Sequence, residues 1–232
     1  MFSEESFEQR QKLAYACRIL EAHGHNDIIY GHVSSRLPGE ETYWMKPSGL
    51  GLDEITPETL VRLDLDGKVV EGTLPRHIEF PIHSEIFRAR PEVTCVIHTH
   101  PRHCVAFAAA GLPFRVISQD SAFFAPDVPR FTVTSNLIMK REQGEAIVQT
   151  MGDSSACFLV YHGIVVAGLT IEEAVVRAIS LEMACQVQLL AASANPSFQG
   201  ATVEEAQAKV ANYPHNAFLQ MWNYFCRQVG PV

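Results

Sequence analysis

Two histidines close an apolar run in Val93-Thr-Cys-Val-Ile-His-Thr-His-Pro101. Residues i and i+2 of a strand point to the same face, so His98 and His100 at a strand end would stand side by side, as two ligands of one metal ion must. Alternation puts Val93, Cys95 and Ile97 on one face and Thr94, Val96, His98 and His100 on the other. Pro101 removes a ladder donor where the strand should stop. Taken alone, His-x-His has a second reading, two hydrogen-bonded imidazoles without a metal. His162 is the third imidazole of interest. It stands between the apolar runs 157–160 and 164–167, directly before Gly163. It is either a turn residue facing water or a buried polar group in need of a partner. Three neutral imidazoles that leave open positions on an ion make a catalytic rather than a structural metal site.

Glu79 and His83 form a second pair. At spacing i, i+4 they would share one helix face, beside Ile82 and Ile86. A carboxylate near a metal and apolar walls could act as acid or base with a tuned pKa. As a plain helix start, Glu is simply favoured by the dipole. Lys46-Pro-Ser-Gly49 is either a surface turn or a lysine with free backbone N–H groups able to hold an anion. Gly31-His-Val-Ser-Ser-Arg36 adds small and polar groups to a strand.

The elements that must position these groups follow from periodicity. Residues 4–23 read as an amphipathic helix stopped by Gly24. Strands are expected at 28–37 and 42–46 around Pro38-Gly39, and a hairpin at 60–65 and 68–70 around Asp66-Gly67. A helix over 79–90 tolerates Pro81 in its first turn, the His-x-His strand spans 92–99, and a short helix follows at 101–110. Weak strands at 115–118 and 131–133 flank the loop 119–129. A helix over 136–150 precedes two apolar strands, 157–160 and 164–167. Thr170-Ile-Glu-Glu173 and Thr202-Val-Glu-Glu205 are capping boxes, the first opening a helix to about 192, and a last helix covers 214–228. Short links favour antiparallel pairs, and no GxGxxG or P-loop is present. The expectation is one α/β domain over 1–232.

The 232 residues are 47% hydrophobic, enough for a substantial core. A net charge of −8 gives no basic footprint for nucleic acid. No run of 18 apolar residues is expected, and Met-Phe-Ser-Glu-Glu does not read as a signal peptide. The six cysteines are scattered without CxxC pairs. These features together point to a cytoplasmic protein with reduced thiols and no membrane partner.

In order, Gly-x-Val-Ser-x-Arg, Lys-Pro-Ser-Gly, Glu-x-x-x-His, His-x-His and His-Gly, spread over about residues 7–192, resemble the class II aldolase/adducin family. The resemblance implies a three-layer α/β/α fold with a largely antiparallel central sheet, and a homotetramer with active sites between neighbouring subunits. His98, His100 and His162 match the family's metal-binding histidines, implying one divalent ion per subunit, Mn2+ or Zn2+, with Fe2+ also suited. Glu79 matches the catalytic carboxylate, which also reaches the metal when substrate is absent. Adducin-type members lack the metal set; this chain keeps it.

The chain departs from the sugar-phosphate members at two places. They carry Gly-Asn-x-Ser where this sequence has Gly31-His-Val-Ser34, and Ser-Ser before the Glu where it has His77-Ile78. Hydroxyl donors suited to phosphate are gone. Arg76, His77, His32 and Lys46, with Ser48 and Gly49 of the turn, are expected instead to engage a small-molecule carboxylate. The arginine fork suits bidentate contact. Ile78, Phe123 and Phe124 suggest a flat apolar pocket. The pattern resembles the family's decarboxylase branch, which acts on hydroxylated aromatic or pyridine carboxylates such as 3-hydroxy-2-methylpyridine-4,5-dicarboxylate in vitamin B6 degradation. The expected activity is a metal-dependent carbon–carbon lyase, with Glu79 as acid/base and His83 or His77 assisting. A sugar-phosphate or sugar-acid aldolase, a metal-dependent oxygenase and a non-enzymatic adducin-like domain are the alternatives. Asp120, Tyr213 and His215 are candidates for what one subunit lends to its neighbour.

Overall fold

Alternation along the strands decides the layers. The computed structural model describes residues 4–232. Its strands are β1 (His32–Ser35), β2 (Thr42–Met45), β3 (Val61–Asp64), β4 (Val69–Glu71), β5 (Cys95–Thr99), β6 (Arg130–Phe131), β7 (Ala156–Leu159) and β8 (Gly163–Gly168). They form one sheet in the order β4-β3-β2-β1-β5-β8-β7-β6. Every pair is antiparallel except β6 with β7. The helices are α1 (Glu4–Leu20), α2 (Phe80–Ala89), α3 (Arg102–Ala109), α4 (Arg141–Met151), α5 (Ile171–Ala194), α6 (Val203–Ala211) and α7 (Ala217–Val229).

Val33, Trp44, Cys95, Ile97, Phe158, Ile164 and Val166 point to one core, shared with α1, α3 and α5. The alternate residues Tyr43, Met45, Val61, Leu63, Val96, Cys157, Leu159 and Val165 point to the other, shared with α2 and α4. Two cores on opposite faces of one sheet make the three-layer α/β/α architecture. Burying each Leu, Ile, Val or Phe of these sets contributes about 1.5–3 kcal/mol. α5 runs for 24 residues and is, by length and composition, apolar enough to cross a membrane, a feature the 18-residue expectation passed over. It is a core helix here: 61% of its apolar window is buried, and it packs against α1, α3 and α7.

Three expected elements differ. The strand at 28–37 shrinks to β1, because residues 26–31 turn back on themselves through an Asp27–Tyr30 bridge, with Ile28 at φ 55 and Gly31 at φ 73. Residues 115–118 form no strand: Ser121 Oγ accepts the N–H groups of Ile117 and Ser118 that a ladder would have used. The helix expected from 136 begins at Arg141. Its entry is fixed by Gln143 Oε1, which accepts from the Met139 and Lys140 N–H groups, and by Glu79, which takes the Ile138 N–H. Both segments open helices, with Thr170 and Thr202 each accepting from the N3 backbone. Thr202 and Glu205 form the full reciprocal box, whereas the Glu173 carboxylate accepts the N–H of Leu169, one residue before the cap.

Candidate active site

Antiparallel pairing of β1 with β5 sets His32 directly opposite His98. Both project from the face covered by α2, whose N-terminus supplies Glu79. His98 Nδ1 donates to the Ile164 carbonyl at 2.9 Å. A carbonyl only accepts, so the proton lies on Nδ1 and Nε2 keeps its lone pair. His100 Nδ1 is held in the same way by Asp27 Oδ2 at 2.8 Å. The two Nε2 atoms face each other at 3.1 Å. Two lone pairs at that separation repel unless a cation lies between them, and two nitrogens each about 2.1 Å from one ion would be about 3.0–3.4 Å apart. His162 completes the group. Both its ring nitrogens are buried without a partner, and the ligand atoms of His98, His100 and His162 lie within 4.8 Å of one another.

Glu79 adjoins two of the three, His98 and His162, together with His32. Its Oε2 is 3.8 Å from both His98 Nε2 and His32 Nε2, and its Oε1 is 3.6 Å from His162 Nε2. Burial holds His98 well below the ordinary histidine range and His162 down at about 4, with neighbouring imidazoles adding to the effect. His98 and His162 are therefore neutral at neutral pH, as metal binding requires. Burial pushes the Glu79 carboxyl up to about 7, opposed by the Ile138 N–H that donates to it at 2.8 Å. The donor set fits one divalent ion: His98, His100 and His162 would hold it, with Glu79 within reach.

The backbone around His162 is demanding. Tyr161 sits at φ 63, and Tyr161 and Ile28 are the only non-glycine residues with positive φ among the described residues. Such strain costs on the order of 1–3 kcal/mol per residue and clusters at functional sites. Both residues line the same cavity of about 780 Å3, whose walls also include Asp27, Glu79, His100 and His162. Gly163 cannot carry a side chain: a Cβ there would lie 2.6 Å from His100 Cδ2 and press on the Thr99 carbonyl.

His83 is placed differently from expectation. Glu79 precedes α2 as its N-cap, at φ −87 and ψ 20, so the two do not share a helix face. His83 looks instead toward β1. Ser34 Oγ meets His83 Nδ1 at 2.6 Å, and His83 Nε2 meets His32 Nδ1 at 2.6 Å. Ser34, His83 and His32 are at most 1% exposed. The row ends at His32 Nε2, which is buried, lacks a hydrogen-bond partner and faces Glu79. His83 thus reaches the metal-ligand group only through His32.

The expected carboxylate binders divide. The His77 ring packs tilted against His32, with ring centroids 4.4 Å apart and planes at 49°, so both belong to the imidazole cluster around Glu79. Lys46 is fully buried; its Nζ donates to the Ile29 carbonyl at 3.0 Å and to His77 Nε2 at 3.3 Å, and burial lowers its pKa to about 8. It braces the 26–31 loop and the His77 ring. The structure does not bring Arg76 to the cluster. Its guanidinium lies 4.1 Å over the Phe80 ring and donates to the His77 carbonyl. Ser48 is held by its N–H to Pro75 O, and Gly49, at φ 88, is exposed beside it. Phe123 packs tilted against Tyr213 and Phe218, and Phe124 lies in the core, so neither walls the cavity. Asp120, Tyr213 and His215 lie outside the cavity wall. The sequence reading missed Asp27, the Ile138 N–H and Arg102, a cavity-lining residue one place after Pro101. No spacing signal marks Asp27, which lies 73 residues from its partner.

Residues 11–189 match the family described as the Class II Aldolase and Adducin N-terminal domain. The chain belongs to this family. Within the class II aldolase family it is 32% identical over 201 residues to 3,4-dihydroxyphthalate decarboxylase of Arthrobacter keyseri, covering 80% of this chain and 79% of that protein. Among solved structures, an aldolase II superfamily protein from Pseudomonas syringae superposes with TM-score 0.87 at 31% identity, over 98% of this chain and 94% of that one. L-fuculose 1-phosphate aldolase from Glaciozyma antarctica PI12 superposes with TM-score 0.86 at 28% identity, over 99% and 92%. The class II aldolase fold read from the motif order is the fold observed, and the chain is an enzyme of the lyase class.

Proposed function

We propose that this class II aldolase relative is a metal-dependent decarboxylase of a hydroxylated aromatic or pyridine dicarboxylate. The observation that carries the reading is the imidazole pair beside Glu79. His32 and His77, 4.4 Å apart, stand where the sugar-phosphate pattern has an asparagine and a serine hydroxyl. Similarity to a dihydroxyphthalate decarboxylase supports the same direction. His98, His100 and His162 would hold a divalent ion, which would supply a Lewis acid to the substrate. In the reaction the bond from ring to carboxylate breaks, carbon dioxide leaves, and the electron pair stays on the ring carbon. Glu79, whose burial keeps its carboxyl protonatable near neutrality, delivers the proton to that carbon and recovers one from solvent. The Ile138 N–H fixes one Glu79 oxygen and leaves the other free to act. The Ser34–His83 pair holds the His32 ring in place beside it.

We further propose that the enzyme works as a homotetramer in the cytoplasm. Exposed Ile28 (81%) and Tyr161 (70%) at the cavity mouth suit a neighbouring copy, and the six free thiols suit a reducing compartment. An aldolase acting on a sugar phosphate is the second reading, favoured by the superposition on L-fuculose 1-phosphate aldolase. The deciding experiment follows carbon dioxide release from 3,4-dihydroxyphthalate and 3-hydroxy-2-methylpyridine-4,5-dicarboxylate with added Mn2+ or Zn2+, beside cleavage of L-fuculose 1-phosphate. Carbon dioxide from a dicarboxylate is the expected result. Cleavage of the phosphate ester substrate with no carbon dioxide release overturns the proposal.

A further inference from the structure

We infer that Arg102 is the specificity-determining residue of this site, gripping the substrate carboxylate that stays on the ring while the other is lost. The inference rests on the decarboxylase reading and adds the group that reads the second carboxylate. A dicarboxylate brings two negative charges into the cavity, and the metal with Glu79 answers for only one end of it. Lys46 is spent on the Ile29 carbonyl and the His77 ring, and Arg76 is turned onto Phe80. Among the described residues lining the cavity, Arg102 is the one lysine or arginine. It is exposed, and its guanidinium has no hydrogen bond or ion pair with any described residue. A free guanidinium at the wall of a metal-centred cavity is suited to bidentate contact with a carboxylate.

The rest of α3 agrees with that role. Arg102, Val105, Ala106 and Ala109 all line the cavity. Spacings of three, four and seven put them on one helix face. That face offers a cation at the end next to His100 and a low apolar strip beyond it, a surface for a flat ring. The backbone of α3 cannot take the anion itself, because the His103 and Cys104 N–H groups at its N-terminus already donate to the two oxygens of Glu182, at 3.0 and 2.9 Å. Recognition of a second carboxylate from this helix therefore falls to the Arg102 side chain.

The test compares wild type, Arg102→Met and Arg102→Lys, each loaded with Mn2+. Two probes are used: 3,4-dihydroxyphthalate, with two carboxylates, and 3,4-dihydroxybenzoate, with one. Calorimetric affinity is measured for both, and carbon dioxide release for the dicarboxylate. Arg102→Met is expected to weaken dicarboxylate affinity and raise its KM 10- to 100-fold. Monocarboxylate affinity, metal content and kcat should stay within threefold, and Arg102→Lys should fall between. Equal losses for both probes, or no loss for either, overturn the inference, as does a wild type that does not bind the dicarboxylate. If wild type binds the dicarboxylate without releasing carbon dioxide, the decarboxylase reading fails, while the affinity difference between the probes still judges Arg102.

Discussion

Asp27→Ala should weaken metal binding without touching a ligand. The Asp27 carboxylate accepts the His100 Nδ1–H at 2.8 Å, which fixes the tautomer and aims Nε2 at the ligand group. Loss of such a partner typically costs 10- to 100-fold in metal affinity, about 1.4–2.8 kcal/mol. The Asp27 side chain is 40% exposed and that of His100 is 17% exposed, so water can take over part of the hydrogen bond. The expected loss is therefore near the lower end, about tenfold. Asp27→Asn keeps a neutral acceptor and should lose only about threefold, because a charge-assisted bond is roughly twice as strong as a neutral one. His98 serves as the internal contrast, since its Nδ1 partner is the Ile164 carbonyl, which no side-chain substitution removes. Competition for Mn2+ or Zn2+ against a chelating dye, at fixed pH and salt, measures the effect. Affinity of Asp27→Ala within twofold of wild type would refute the orienting role.

Glu79→Gln keeps an oxygen for the Ile138 N–H but has no proton to give. Metal content should be unchanged while kcat falls by about 10²–10⁴, and turnover within tenfold of wild type would remove Glu79 from the chemistry. Gly163→Ala forces a Cβ to 2.6 Å from His100 Cδ2. Overpacking of this kind costs about 1–3 kcal/mol, so Tm and metal affinity should fall together; an unchanged metal affinity would show that His100 is not held by this approach. Lys46 has a folded pKa near 8 against an ordinary value of 10.5, with burial the main cause. The unfolded chain holds the proton more tightly, so the cost of burying the charge is fully present below pH 8 and is relieved as pH rises to about 10.5. Relative to Lys46→Met, wild-type stability in the metal-free protein should gain on the order of 3 kcal/mol across that window. Urea unfolding of both proteins at its two ends checks this, and a constant difference would contradict it.

The site was partly legible before folding. His98 and His100 share a strand face because the strand period is two, and His162-Gly163 marks a turn between two apolar strands. The i, i+4 spacing of Glu79 and His83 misled, because the helix starts one residue later and Glu79 caps it. The Glu79 carboxylate is aimed by the Ile138 N–H, which arrives from a loop 59 residues away. Residue type likewise suggested that Arg76 and Lys46 would bind anions. Phe80 and the Ile29 carbonyl claim them first, and neither rival is visible as a pattern.

What the sequence by itself determined is whatever depends on local periodicity and residue chemistry. That includes the alternation separating the two cores, the N-cap threonines, the pairing of His98 with His100 on one strand face and the loss of hydroxyls before Glu79. The tertiary structure alone decided how these groups are aimed. Asp27 reaches His100 across 73 residues, His83 reaches His32 across 51, and Arg102 is left unpartnered beside the cavity. The physical reason is that a side chain's direction and hydrogen-bond partner are settled by segments packed against it. Those segments meet only once the sheet has closed β1 against β5 and laid α2 and α3 on its two faces.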